Sequence, residues 1–205
     1  MKKYLIDLVI KLRNNLLEIN PGKIRDWWPL LFGPAIILTV YISYLLNPHP
    51  SCWVGNKARL EMLALYFTSA ATIIYLIRVI FSRNPVFILL FALSVTFLCR
   101  EIHFAGTSTG VYIALVILGI WSLFWQDRIF EGLKKGELFK WVVSTFSVYF
   151  LSQLVARRVF RFMPLEDILH VPFEEMLENG AHLMLITTAF SDLFSRHIKD
   201  RDTDF

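Results

Sequence analysis

The chain has 205 residues, 56% of them hydrophobic and 15% aromatic, with a formal net charge of +4. Soluble domains use about 45–50% apolar residues. Here the excess falls in blocks long enough to cross a bilayer, which excludes an ordinary soluble domain. The basic residues are spread between those blocks, as membrane topology places them, and form no nucleic-acid-binding patch.

Residues 2–20 read as an amphipathic helix. Leu5, Leu8, Val9, Leu12, Leu16 and Ile19 follow the 3.6-residue period, and Lys2, Lys3, Lys11 and Arg13 take polar positions. Asp7 and Lys11 interrupt the apolar run and no small-residue cleavage site follows, so it is not a secretory signal. A basic helix of this kind lies in a membrane interface. Pro21-Gly22 ends it, and Trp27-Trp28 fit the headgroup level.

Six apolar spans follow, at residues 29–46, 60–81, 86–104, 111–125, 139–156 and 173–194. The predicted fold class is all-α: a polytopic membrane helix bundle of six transmembrane helices behind an interfacial N-terminal helix. Residues 1–28 form the interface helix and linker, 29–195 the bundle and 196–205 a short tail. The connections are brief, so neighbouring helices run antiparallel. With the N-terminus inside, 15 Lys and Arg residues fall on the inner side and 6 on the outer. This bias predicts a multi-pass protein of a bacterial inner membrane with both termini cytoplasmic.

That topology gathers polar residues at the outer end of the bundle. Glu61 starts the second span; Arg100, Glu101 and His103 close the third; Arg157, Arg158 and Arg161 follow the fifth; His170, Glu174, Glu175, Glu178 and His182 lead into the sixth. A charge in a membrane segment costs roughly 2.5–3.5 kcal/mol on insertion scales and marks a functional-site candidate. Glu175, Glu178 and His182 share one helix face at i, i+3 and i+7.

Each of these residues also has a bland explanation. Pro172 suits a first helical position, with Glu174 and Glu175 complementing the helix dipole in the first turn. Glu178 and His182 can be an internal hydrogen-bonded pair. Arg100 and Glu101 can serve helix packing, and the three arginines after span five can be snorkelling anchors. His49, in Asn-Pro-His-Pro, reads as a turn residue. Cys52 and Cys99 both fall on the outer side, where a disulfide can persist, and a bridge would pin the first outer loop over the site. No Cys-x-x-Cys pair exists.

Known membrane-enzyme patterns are missing. The zincin His-Glu-x-x-His is absent, and the Glu-x-x-His of di-iron bundles is replaced by Glu-Ile-His and Glu-x-x-x-His. Three functional expectations remain. The first is a metal-assisted enzyme, such as a hydrolase, acting on a membrane lipid or lipid-linked substrate. Glu178, Glu101 and Glu175 would be acid–base groups. His103, His182 and Glu178 would hold zinc, iron or manganese. Arg100, Arg157 and Arg158 would grip an anionic head group, with Glu61, Cys52 and Cys99 in structural roles. The second is a non-enzymatic subunit or sensor, with the polar cluster as a lock and a membrane-protein partner or a second copy of the chain docked on it. The third, ranked last, is a haem protein with His103 and His182 as axial ligands.

Overall fold

The computed structural model describes residues 7, 10–14, 24–47, 56–82, 84–102, 107–134 and 137–202. Among these the secondary structure is helical throughout, with no strand. A 3-10 helix, Ile24–Leu31, leads into α1, Phe32–Leu46. Then come α2, Lys57–Ser82; α3, Pro85–Glu101; α4, Thr107–Phe124; and α5, Gln126–Leu133. The last two are α6, Leu138–Ala156, and α7, Glu166–Asp202. Of the expected N-terminal interfacial helix, Asp7 and residues 10–14 are described and are helical. The rest of it lies outside the described residues, as do His49, Cys52 and His103.

Each of the six expected spans overlaps a helix, but only three helices are long and apolar enough to cross a membrane: Trp27–Leu46, Lys57–Ser82 and Leu138–Ala156. A fourth is added if Thr109–Phe124 and Gln126–Leu133, bent by 85° at their junction, are taken as one broken span. The six-span expectation is therefore supported only in part, for physical reasons. α3 has 17 residues, about 25 Å at 1.5 Å per residue, against a hydrocarbon core of about 30 Å. α7 is long enough at 37 residues but carries Glu174, Glu175 and Glu178 in its first half.

The start of α7 is a second correction. The helix begins at Glu166, with Glu166 and Asp167 in its first turn and Pro172 inside it. Pro172 does not open the helix, so Glu174 and Glu175 lose the explanation that they merely complement a helix N-terminus. At the other end α7 continues to Asp202, through most of the expected tail.

The short α5 was not expected. Its buried side, Gln126, Ile129, Phe130 and Leu133, faces the bundle, while Asp127, Arg128 and Glu131 are exposed. An ion pair between Lys11 and Asp127 ties the N-terminal helix to it.

α7 is the central post, packed on α6, α2 and α1; α2 and α3 form a hairpin, and α4 lies outermost against α3. Asn84 caps that hairpin: its side chain accepts the Val86 N–H at 3.0 Å, and Pro85 takes the first helical position. Tyr75, Phe87, Leu90 and Leu185 fill the core between α2, α3 and α7. Val40, Val148, Leu177, Ala181 and Met184 fill the core between α1, α6 and α7. α1 crosses α7 at Gly180, where a Cβ would meet Ile36 Cδ1 at 2.2 Å and the isoleucine side chain would have to move.

Two polar contacts inside the bundle join helices directly. Tyr75 Oη donates to the Leu185 carbonyl at 2.7 Å, and the Thr145 and Thr188 hydroxyls meet at 3.0 Å. The outside is apolar: Phe81 is 83% exposed and Leu46 81%. Large side chains so placed suit lipid as the surrounding solvent.

Candidate functional site

Two helices bring residues at i, i+3 and i+4 spacing, and a third an i, i+4 pair, to one end of the bundle. α3 supplies Phe97, Arg100 and Glu101 in its last turns. α6 supplies Tyr149, Ser152 and Gln153 near its C-terminal end. α7 supplies Glu178 and His182 from its first half. Residues at this spacing lie one above another on a helix face, so each set forms a short polar stripe, and the three stripes meet.

Two chains of contacts result. In the first, Arg100 Nη2 donates to Glu178 Oε1 at 2.7 Å. Ser152 Oγ at 3.3 Å and Gln153 Nε2 at 3.4 Å donate to the same oxygen. Glu178 is 5% exposed. A buried carboxylate is tolerable only with such pairing, since its desolvation costs several kcal/mol. The side chain of Arg100 is 35% exposed, so the guanidinium reaches from the buried carboxylate towards the surface.

In the second chain, His182 Nδ1 lies 2.7 Å from Tyr149 Oη, and its Nε2 lies 3.8 Å from Glu101 Oε1. His182 is 1% exposed, and Nε2 makes no hydrogen bond. Phe97 stacks on Tyr149 with ring centroids 4.6 Å apart, and Tyr149 meets the imidazole edge-on at 5.5 Å. An imidazole with one nitrogen anchored and the other facing a carboxylate is a recurring acid–base arrangement.

Arg100, Glu101, Glu178 and His182 thus come together as the sequence suggested. The other expected site residues that are described make their contacts elsewhere. Glu175 and Glu61 both face Lys57, at 4.0 and 3.5 Å, at the start of α2. Arg158 turns to the connection between α6 and α7, 3.2 Å from His170 Nδ1, 3.9 Å from Glu166 and 3.8 Å from Asp167. Arg157 caps α6 and is exposed. Cys99 is a free thiol, half-buried in α3.

Sequence reasoning missed Tyr149, Ser152 and Gln153. Their signal was weak: they share one face at i, i+3 and i+4, but the same span also carries Lys140, Ser144, Thr145 and Ser147. Asn179 was also missed. Its Nδ2 donates to the Leu60 carbonyl at 3.0 Å and to the Glu175 carbonyl at 2.8 Å, fastening α7 to α2 beside the site.

Among the described residues no group of three or more His, Cys, Asp or Glu side chains is arranged to hold a metal ion. Of the three expected ligands, Glu178 and His182 stand one helical turn apart, engaged by Arg100 and Tyr149 respectively. No protein-family model matches the chain, and neither a curated protein nor a solved structure is significantly similar to it.

Proposed function

We propose that this chain is an integral membrane protein whose function resides in the cluster between α3, α6 and α7. That cluster would be an acid–base centre acting on a lipid or lipid-linked substrate. The observation that carries the proposal is the placement of His182: buried, anchored at Nδ1 by Tyr149, with an unpaired Nε2 facing Glu101. Glu101 and His182 would exchange the proton, Glu178 would hold Arg100 in place, and Arg100 would meet an anionic head group at the surface. Arg157, exposed one turn beyond Gln153, would be a second contact for that head group. The charge asymmetry along the chain supports an inner-membrane protein with cytoplasmic termini and this site at the outer side. A zinc, iron or manganese ion would enter the scheme through His103 together with His182 and Glu178.

The test uses the full chain in nanodiscs. Purified protein is incubated with a total lipid extract, and the lipid species lost and gained are followed by mass spectrometry, with metal content measured on the same sample. The expected result is a conversion by the wild type that is lost in Glu101→Gln and His182→Gln. No conversion, or equal conversion by all three proteins, removes the enzymatic proposal. A stoichiometric metal that is lost with His182→Gln adds the ion to the mechanism.

One observation favours a second function, that of a non-enzymatic subunit held rigid by a polar lock. Three donors from two helices converge on one oxygen of Glu178, and buried polar groups paired in this way between helices rigidify a core. Stoichiometric co-purification of a membrane protein, or of a second copy of the chain, without lipid conversion would favour it. The haem alternative receives no comparable support, because His182 Nε2 faces a carboxylate. Absence of a Soret band in the purified protein is the expected outcome.

A further inference from the structure

The two ring nitrogens of His182 meet different neighbours: the Tyr149 phenol at Nδ1 and the Glu101 carboxylate beyond Nε2. Two proton arrangements of the neutral ring fit the 2.7 Å contact with Tyr149, and a doubly protonated ring, with Nδ1–H donating to the phenol oxygen, strands the phenolic proton as the second of them does. In the first, the phenol O–H donates to a bare Nδ1, and the ring proton sits on Nε2, aimed at the carboxylate. In the second, Nδ1–H donates to the phenol oxygen. The phenolic proton then has no acceptor, and a bare Nε2 lone pair faces the carboxylate oxygen. The second arrangement leaves a donor unpaired inside the bundle and sets two acceptors against each other. Both are penalised where water cannot compensate.

We infer that Tyr149 is a positioning residue: its hydroxyl donates to Nδ1, locks His182 as the Nε2–H tautomer, and so presents a proton donor to Glu101. This rests on the acid–base proposal above and assigns the roles within it. In the resting protein Glu101 is the acceptor and His182 the donor. The bond on one imidazole nitrogen dictates what the other can do. The Tyr149 ring is itself fixed by the Phe97 stack, and Phe146 lies 6.5 Å from it. The hydroxyl is therefore held in place by packing that a phenylalanine would keep.

The experiment reads the tautomer directly, at rest and without substrate. Full-length protein with 15N-labelled histidine is reconstituted in nanodiscs, and the His182 signals are assigned by their loss in His182→Gln. Wild type should show a single Nε2–H tautomer with a hydrogen-bonded acceptor shift at Nδ1. Tyr149→Phe should lose that acceptor shift and admit the Nδ1–H tautomer. Glu101→Gln should leave the Nε2–H tautomer in place. Ser152→Ala, which removes a bond to Glu178 and none to His182, should match wild type and so controls for general loosening. A single unchanged Nε2–H tautomer in Tyr149→Phe overturns the inference, as does a tautomer switch in Glu101→Gln without one in Tyr149→Phe. Failure of lipid conversion with these tautomer results intact would remove the enzymatic proposal and leave the role of Tyr149 standing.

Discussion

The chain builds two arginine-centred clusters near the same end of the bundle, and they are built differently. Arg100 extends from a helix to Glu178 on a facing helix, 78 residues away, at 2.7 Å, with Ser152 and Gln153 donating to the same oxygen. Arg158 lies in the connection between α6 and α7 and meets groups 8 to 12 residues along the chain, at 3.8–3.9 Å from the carboxylates of Glu166 and Asp167. It adopts φ 54°, a left-handed conformation that costs a non-glycine residue roughly 1–2 kcal/mol. The first cluster joins three helices that the chain brings together only on folding. The second closes a local turn. Two arginines that looked equivalent in the sequence therefore have different work: one spans the bundle, the other shapes the chain's return.

The sharpest way to break this contrast is Arg100→Ala. It leaves Glu178 as an unpaired buried charge, and breaking such a pair costs about 3–5 kcal/mol. A large shift in the SDS unfolding midpoint in bicelles is expected, and a shift like that of a surface substitution would show the pair to be incidental. The double variant Arg100→Ala with Glu178→Ala should recover part of the loss. Its coupling energy should lie towards the upper end of the roughly 0.5–3 kcal/mol seen for residues in contact. Additive effects in the four-member cycle would contradict a direct pair.

The turn cluster should respond less, and through its backbone. Arg158→Ala is expected to cost about 1 kcal/mol, whereas Arg158→Gly should be the more stable of the two by about 1 kcal/mol, because glycine accepts φ 54° freely. Equal midpoints would mean that the strained conformation carries no weight. The smallest effect belongs to Lys57→Ala. Its pairs with Glu61 and Glu175 are long and its own side chain is exposed, so a loss below about 1 kcal/mol is expected in the same assay.

Much of this architecture was legible in the sequence, because long apolar blocks and the residues between them obey simple rules. α2 and α6 lie close to their expected bounds, since long, predominantly apolar runs have few alternatives to helix. Antiparallel order placed Arg100, Glu101, Glu178 and His182 at one end of the bundle, where they could meet; which atoms pair was not legible. The start of α7 was missed because Pro172 imitates a helix start. A proline gives up one hydrogen bond, and packing on α1, α2 and α6 offsets that loss in a way no local signal reports. The end of α4 beside Trp125 was legible, but α5 was not: Gln126-Asp127-Arg128 read as a loop, and Ile129, Phe130 and Leu133 alone do not announce a helix set at 85° to the one before it. Tyr149 escaped notice because a tyrosine in a span resembles any other aromatic until its hydroxyl is seen to have a partner.

The length of α7 has a consequence for depth. At 37 residues the helix measures about 55 Å, nearly twice a hydrocarbon layer of about 30 Å. If residues 173–194 are the portion matched to that layer, Glu178 stands about 8 Å and His182 about 14 Å along the helix from Phe173. On that reading the imidazole would lie near mid-membrane and the carboxylate above it, with the partly exposed Arg100 on the approach. A ligand entering from the lipid would meet guanidinium, carboxylate and imidazole in that order. Selection by charge would come before any proton moved.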